Sequence, residues 1–365
     1  MTEPFTAAAP TPPARRSRRG GLVALAALVV LAVVAVLGGR ALLSRLTAGT
    51  PDYDGAGTGE VVAQVQRGDS AADIGETLER LDVVKSARAF RRVASDDERS
   101  RSIQPGYYRL RQLMSARAAL DLLLDPSSRV RSRYTVPEGS TLARTLDIIS
   151  RSVERMPLAD LKAAVANPAA LGLPDYAKGQ VEGYLFPATY DVEPGTSATE
   201  VLTAMVDRFK VAAEQHDLAG RAQALGRSPH DLVVMASLVE GEAGTATDRG
   251  KVAQVAYNRL AKGMRLEFDS TLKYAYSLRG ENKTRLLLRD LELDSPFNSY
   301  RRTGLPPGAI NSPGDAALAA AVAPTPGSWL YFVLIDTRGN SAFATTYEEF
   351  LRLKAQYKRD VLGQG

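Results

Sequence analysis

The sequence predicts an α+β protein with a single N-terminal transmembrane helix, a small β-α domain and a larger mixed α+β domain. Three observations support this class. Residues 20–39 form an uncharged run near the N-terminus. A strand, a glycine turn and an amphipathic helix follow one another twice, from Val65 and from Val136. The segment from Ser228 to Glu242 has the pattern of a buried helix, and "WLYFV" has the length of a strand.

Composition and charge exclude several classes of function. The chain has 46 Lys and Arg against 41 Asp and Glu, a net charge of +5, and residues 1–45 alone carry that excess. The remainder is therefore neutral, which disfavours nucleic acid as a partner. Cysteine is absent and there are only two histidines, so we expect no disulfide, thiol nucleophile, metal site or cofactor. Catalytic chemistry is left to carboxylates, amides and hydroxyls.

The N-terminal segment is interpreted as an uncleaved membrane anchor. Twenty uncharged residues are enough to cross a bilayer, and four arginines precede them. We therefore predict a cytoplasmic basic tail at residues 1–19 and a transmembrane helix at 20–43, with the rest of the chain outside a single-pass cell membrane. The alternative is a cleaved signal peptide, but its apolar stretch is usually shorter and ends at a small-residue cleavage site.

The extracytoplasmic part is predicted to contain a linker and two domains. Residues 44–60 are rich in Gly, Thr and Asp and are typical of a linker. The motifs "VQRGDSAADIGETL" and "VPEGSTLARTLDII" share a strand, a turn, a cap and a helix. The first resembles the start of a LysM module, a small fold that often binds peptidoglycan glycan; an ordinary strand–turn–helix unit is the alternative. We assign residues 61–133 to this LysM-like domain and 134–360 to the larger domain.

Two carboxylates end the apolar helix "DLVVMASLVEGEAG". Ser228, Pro229 and Asp231 predict its start through a capping box. Glu240 lies on a buried row of this helix, where burial favours the protonated form of a carboxyl and suits it to act as a general acid. Glu242 lies roughly 200° away around the axis. A solvated helix end is the alternative, and spacing alone does not choose between the two acids.

Polar side chains after this helix are candidates for contact with a sugar. Asn258 lies near the apolar stripe of a following helix, and Asp269, Ser270 and Thr271 come together after a short predicted strand. Short hydrogen-bonding side chains suit a carbohydrate, but Asp-Ser-Thr is also a common start of a helix.

Five motifs in a fixed order carry a more specific resemblance. They are "VEGYLFPATYDV", "ASLVEGEAG", "VAYNRLAKGMRLEFDSTLKYAY", "SPFNSYRRTGLPPGAINSPGDAALAAAVAP" and "WLYFV". Together they closely resemble the endolytic murein transglycosylases, the YceG-like family. The resemblance covers most of residues 60–355, and the predicted tail, span and LysM-like region fit the same architecture.

The resemblance implies a lytic transglycosylase, a lyase that cuts nascent peptidoglycan between N-acetylmuramic acid and N-acetylglucosamine and leaves 1,6-anhydro ends. The family's single catalytic Glu corresponds to Glu240. Members often have Lys at Gly241 and Tyr-Asn-Thr-Tyr at 297–300, where this chain has Phe-Asn-Ser-Tyr. These departures bear on substrate contacts rather than on the reaction. With less specific support, we assign substrate binding to several polar residues: Glu182, Asn258, Asp269, Ser270, Thr271, Asn298 and Tyr300.

Two other classes of function compete with this interpretation. The chain could be a membrane-anchored scaffold that only binds peptidoglycan, or a hydrolase that pairs Glu240 with Glu182 or Asp269. For Glu182, a structural role in capping a turn is an equal alternative. The partners implied by the resemblance are glycan strands, the bacterial inner membrane and peptidoglycan synthases.

Overall fold

The structure, a computed structural model, describes residues 30–36 and 50–360. Residues 30–36 are helical. The predicted tail at 1–19 and most of the predicted span at 20–43 lie outside the described residues, as does the first part of the predicted linker. Within the described part of the chain, no helix has the length and apolar character that a membrane crossing requires.

The chain divides into two compact units between residues 129 and 130, and each is treated separately. Between residues 50 and 129, the first unit contains two strands and three α-helices: β1 (Ala56–Val65), α1 (Ala71–Arg80), α2 (Ala87–Asp96), β2 (Gly106–Met114) and α3 (Ala116–Leu124). The strands pair in antiparallel register, with Val65 opposite Gly106. The helices cover a core that includes Phe90 and Leu120.

The second unit is mainly helical, with two short antiparallel strand pairs among its described residues. Its first part consists of β3 (Ser132–Thr135), α4 (Leu142–Ser152), α5 (Leu158–Val165), β4 (Thr189–Val192), α6 (Ala198–Gln215) and α7 (Leu218–Ala224). Its second part consists of α8 (Pro229–Glu242), α9 (Arg249–Ala261), α10 (Asp269–Ser277), α11 (Asp315–Val322), β5 (Tyr331–Leu334), β6 (Ser341–Ala344) and α12 (Tyr347–Asp360). Strand β3 pairs with β4, and β5 pairs with β6.

Helix α8 is the centre of the second unit. Ser228 and Asp231 form the predicted capping box, and Pro229 occupies the first turn. Every residue from Leu232 to Val239 is buried, because α9, α10 and α11 pack around the helix. A helix that is apolar on all sides is stable only in such a position. Its C-terminal turn, which carries both acids, is thereby fixed by packing from several directions.

Three sequence predictions differ from the structure in their boundaries or type. Strand β1 begins at Ala56, inside the predicted linker. The units separate four residues before the predicted limit at 133, because β3 pairs with β4 and so joins the second unit. The Asp-Ser-Thr segment forms the first turn of α10 rather than an exposed turn after a strand, so the helix-start alternative was right.

Gly183, in the motif "VEGYLFP", lies against the loop that precedes α11. Its φ of +89° is a left-handed conformation, and a Cβ at this position would overlap the Ala309 side chain and lie 3.3 Å from Val233 of α8. The segment that contains Gly183, the loop before α11 and helix α8 therefore approach one another closely only because residue 183 has no side chain.

We predict that Gly183→Ala lowers the free energy of unfolding by about 2–4 kcal/mol, since backbone strain adds to overpacking. The measurement is chemical unfolding of the purified protein, followed by a signal from the second unit.

Gly195→Ala is the matched control. Gly195 also has a positive φ, +83°, but nothing lies within 4 Å of its Cβ position. It should lose only the strain component, about 1–2 kcal/mol. Equal losses for the two variants would show that the contact with Ala309 is unimportant.

Candidate active site

Glu240 lies in the last turn of α8 with its side chain only 7% exposed. Its Oε1 accepts a hydrogen bond from Arg249 Nη2 at 3.0 Å. Its Oε2 accepts one from the backbone N–H of Gly314 at 3.1 Å. The carboxylate is thus enclosed, and the alternative of a solvated helix end does not fit this placement.

Arg249 changes the expected electrostatics of Glu240. The sequence predicted burial of Glu240 among apolar groups and gave no indication of a neighbouring cation. The guanidinium of Arg249 belongs to the first residue of α9 and is brought beside Glu240 by the short connection after α8. A buried carboxylate needs such charge compensation and hydrogen bonding. Both contacts of Glu240 stabilise its ionised form.

A second carboxylate, Glu138, shares this arginine. Arg249 Nη2 lies 3.6 Å from Glu138 Oε2, and the Glu138 side chain is half exposed. Burial raises the pKa of Glu138, as do the nearby charges of Glu240 and Asp315, whereas Arg249 lowers it. Sequence reasoning missed both Glu138 and Arg249. Glu138 lies in a Gly turn and Arg249 at a helix start, so neither has a local pattern that indicates chemistry.

Backbone hydrogen bonds hold the Glu138 turn to the loop before α11. The N–H of Gly139 donates to Ser312 O at 2.9 Å, and the N–H of Ser312 donates to Ser140 O at 2.9 Å. A Cβ at Gly314 would overlap the Glu138 carboxylate. Gly314 therefore borders both acids: its N–H binds Glu240, and its bare Cα allows Glu138 to approach.

Glu242 has different surroundings. Its Oε1 accepts from the backbone N–H of Ser270 at 2.8 Å, in the first turn of α10. Burial raises the pKa of Glu242 to about 7, against the hydrogen bond that the Ser270 N–H donates. The predicted angular separation of the two acids thus corresponds to two distinct environments, one cationic and one at a helix N-terminus.

Three of the predicted sugar-binding residues lie near Glu242. The Tyr300 hydroxyl donates to Asp269 Oδ1 at 2.5 Å, and Asp269 is exposed. Burial, together with the bond to Asp269, raises the pKa of Tyr300 well above its usual range. Ser270 packs against Gly241, where a Cβ would lie 2.7 Å from that of Ser270. Asp269 and Tyr300 are therefore predicted residues that the structure leaves at least partly accessible near Glu242.

Thr271 and Asn298 are fully buried. The Thr271 hydroxyl donates to Phe268 O, and the Asn298 amide donates to Leu291 O and Leu293 O. As placed, these side chains fix the loop that carries Tyr300 and do not face a ligand.

Glu182 and Asn258 also hold the framework. Glu182 Oε1 accepts from the N–H of Leu142 at 2.8 Å, which caps α4, and its carboxyl also bonds to Tyr274. Burial raises the pKa of Glu182 to about 7. The Asn258 amide donates to Gly327 O and Trp329 O. Asn258 lies nine residues after Arg249 on α9, roughly 13 Å along the axis, so the structure does not bring it to Glu240.

Buried polar atoms without a hydrogen-bond partner in the protein concentrate around the two acids of α8. The described residues include seven such side-chain atoms, and five belong to the segments next to Glu240 and Glu242: Arg249 Nε, Ser140 Oγ, Ser270 Oγ, Asn311 Oδ1 and Ser312 Oγ. Buried polar groups are normally paired, so these atoms give the surroundings of the two acids hydrogen-bonding capacity that the protein itself does not fill. The arrangement can donate and accept hydrogen bonds around an enclosed carboxyl group.

Known proteins are similar to this chain over most of its length. The model of the YceG-like family matches residues 63–356. A protein of Bacillus subtilis named endolytic murein transglycosylase is 32% identical over 336 residues, covering 88% of this chain and 91% of that protein. A protein of the same name from Streptococcus pneumoniae serotype 2 is 29% identical and covers 81% of this chain, which spans 58% of that longer protein. A crystal structure of a yceG-like protein from Listeria monocytogenes, 30% identical, covers 81% of this chain and 99% of that one with a TM-score of 0.54. The α+β fold and the family predicted from the five motifs are therefore confirmed, and the chain belongs to the YceG-like family.

Proposed function

We propose that this protein is a lytic transglycosylase that cuts peptidoglycan glycan strands endolytically, with Glu240 acting first as an acid and then as a base. The observation that carries the proposal is the enclosed Glu240 carboxyl, which is bonded to Arg249 and to the Gly314 N–H within a cluster of unpaired polar atoms. The names of the relatives from Bacillus subtilis and Streptococcus pneumoniae support the same class of reaction.

In the first step, protonated Glu240 donates its proton to the glycosidic oxygen between N-acetylmuramic acid and N-acetylglucosamine, and the bond from C1 to that oxygen breaks. Glu240 becomes a carboxylate. Arg249 and the Gly314 N–H stabilise the carboxylate more than the neutral acid, so these contacts strengthen as the proton leaves.

In the second step, the Glu240 carboxylate takes the proton of the C6 hydroxyl of the muramic acid, and O6 attacks C1. A 1,6-anhydro ring forms, no water is consumed, and Glu240 regains the proton with which it began. The substrate supplies the nucleophile, so one carboxylic acid is sufficient where glycoside hydrolases use two.

Glycoside hydrolysis is the second candidate, and one observation favours it. Glu138 and Glu240 approach the same nitrogen of Arg249 at 3.6 and 3.0 Å. Two carboxylates of a hydrolase lie about 5–10 Å apart. Glu138 is therefore a better second acid than Glu182, which caps α4, or Asp269, which is bonded to Tyr300. Mass spectrometry of the cut glycan separates the candidates: anhydro ends support the transglycosylase, reducing ends the hydrolase and uncut glycan a scaffold.

We further propose that residues 20–43 anchor the enzyme in the bacterial inner membrane, with residues 1–19 in the cytoplasm and the catalytic unit outside. The uncharged run between arginines supports this topology. The tether would confine cutting to nascent strands near the membrane and to the neighbourhood of peptidoglycan synthases.

A LysM-like role for residues 61–133 is supported by a cleft of about 260 Å³ in the first unit, lined by residues of the turn before α1 and of the segment before β2.

We predict that Glu240→Gln reduces the formation of anhydro-muramyl ends by at least about 100-fold, because the amide cannot transfer a proton. The measurement is mass spectrometry of glycan fragments at matched protein concentration. Glu242→Gln is the control on the same helix turn and should lose much less activity, since a Gln oxygen can still accept from the Ser270 N–H. Normal cutting by the Glu240 variant would exclude our assignment.

We also predict that Glu242 makes the protein less stable as the pH rises. Its pKa is about 7 in the folded protein and near 4.5 when exposed. Between these values the folded state holds more protons than the unfolded state, so the free energy of unfolding falls as pH increases. Glu242→Gln should remove this contribution and flatten the decline between pH 4.5 and 7, measured by chemical unfolding across that range. An unchanged slope would contradict the buried, proton-holding role of Glu242.

A further inference from the structure

Arg249 stands between two carboxylates whose exposure differs. Its Nη2 lies 3.0 Å from Glu240 Oε1 and 3.6 Å from Glu138 Oε2. The Glu240 side chain is 7% exposed, whereas that of Glu138 is 49% exposed. The Arg249 side chain is itself largely buried, and its Nε has no hydrogen-bond partner in the protein. A small rotation of the guanidinium would exchange one carboxylate for the other.

The position of Glu138 is fixed by the loop before α11. Two backbone hydrogen bonds join Gly139 and Ser140 to Ser312, and Gly314 lacks the side chain that would displace the Glu138 carboxylate. The loop that donates an N–H to Glu240 therefore also holds the competing acid within reach of Arg249.

These contacts pose a problem for a general acid. The Arg249 and Gly314 bonds suit ionised Glu240, yet the acid must carry a proton before the reaction begins. When Glu240 is protonated, Arg249 loses its closest anion, and a buried cation without a partner is costly. Within the described residues, Glu138 is the other carboxylate that forms an ion pair with this arginine.

We propose that Glu138 is a positioning residue that pairs with Arg249 whenever Glu240 holds the proton. As Glu240 gives its proton to the glycosidic oxygen, the guanidinium moves to the new carboxylate; as Glu240 takes the proton of the C6 hydroxyl, it returns to Glu138. Arg249 stays charged throughout, and the proton passes only between Glu240 and the sugar. The inference rests on the proposed transglycosylase function.

Other charges near Glu138 are few. Asp315, the first residue of α11, acts on Glu138 electrostatically, and its Oδ1 is 2.8 Å from Nε2 of His216 at the end of α6. Asp315 forms no ion pair with Arg249 in the described structure. It is therefore a neighbouring acid whose removal alters the local field without removing a partner of the arginine.

The test is the pH profile of kcat/KM for the formation of anhydro ends by the full-length protein. Glu138→Gln leaves Arg249 to Glu240 alone, which disfavours protonated Glu240. We expect the basic limb of the profile, where kcat/KM falls as the pH rises, to move to lower pH by about one unit. At pH values on that limb, kcat/KM should then be about tenfold lower than in the wild-type protein. A purely structural role would lower the rate equally at every pH and leave the limb in place.

Three further variants make the result specific. Glu138→Asp keeps the charge and should keep the limb near its original pH. The double variant Glu138→Gln/Arg249→Gln also lacks the cation, so its basic limb should lie at higher pH than that of Glu138→Gln alone. Asp315→Asn should move it much less than Glu138→Gln. Thermal unfolding of each variant establishes that it is folded before its profile is compared.

The outcomes distinguish a failure of the proposed function from a failure of the Glu138 inference alone. If the wild-type protein forms no anhydro ends, both the proposed function and this inference are overturned. If it forms them but Glu138→Gln does not move the limb, or Asp315→Asn moves it equally, only the inference is overturned. A folded Glu138→Gln protein that is inactive at every pH would place Glu138 in the chemistry itself and would also overturn the positioning role.

Discussion

The enclosed ion pair between Glu240 and Arg249 is the interaction on which the site depends. An isolated carboxylate at the end of an apolar helix would be unstable in its charged form, and an isolated guanidinium beside it would be equally unfavourable. Together with the Gly314 N–H, the two groups satisfy one another. The site is thus held by a few charge-assisted bonds whose strength comes from their exclusion from water.

That interaction requires three separate segments of the chain. Helix α8 supplies Glu240, the start of α9 supplies Arg249, and the loop before α11 supplies the Gly314 N–H. The apolar faces of these helices pack around α8, and this packing determines where the polar ends meet. Gly183 extends the same arrangement, because its bare Cα lets the "VEGYLFP" segment lie against the loop. The position of the acid therefore follows from the core rather than from local bonds.

The sequence predicted the parts of this site that depend on local patterns, and it missed the parts that depend on contacts between separate segments. The capping box of α8 and its burial could be predicted, because the pattern of residues within one helix indicates both. The choice of Glu240 over Glu242 came from the family resemblance, since spacing alone does not separate the two acids. The family could be predicted because five motifs keep a fixed order. Arg249 and Glu138 could not, since their importance arises from contacts across the fold and their local surroundings look like an ordinary helix start and turn. Glu182 and Asn298 were assigned to substrate from their positions in the family motifs, whereas the structure shows them bonded to backbone groups, a use that an isolated motif does not reveal.

The two acids of α8 show how one helix end can separate chemistry from structure. Glu242 meets the N-terminus of α10, where burial raises its pKa to about 7 and the Ser270 N–H fixes its position. Glu240 meets the guanidinium of Arg249, which also lies 3.6 Å from Glu138. A group that must gain and lose a proton in each turnover needs surroundings that can follow its charge. In the proposed reaction, the presence of Arg249 and Glu138 on one side of α8, and of a helix terminus on the other, is a physical reason for assigning the proton transfer to Glu240 rather than to Glu242.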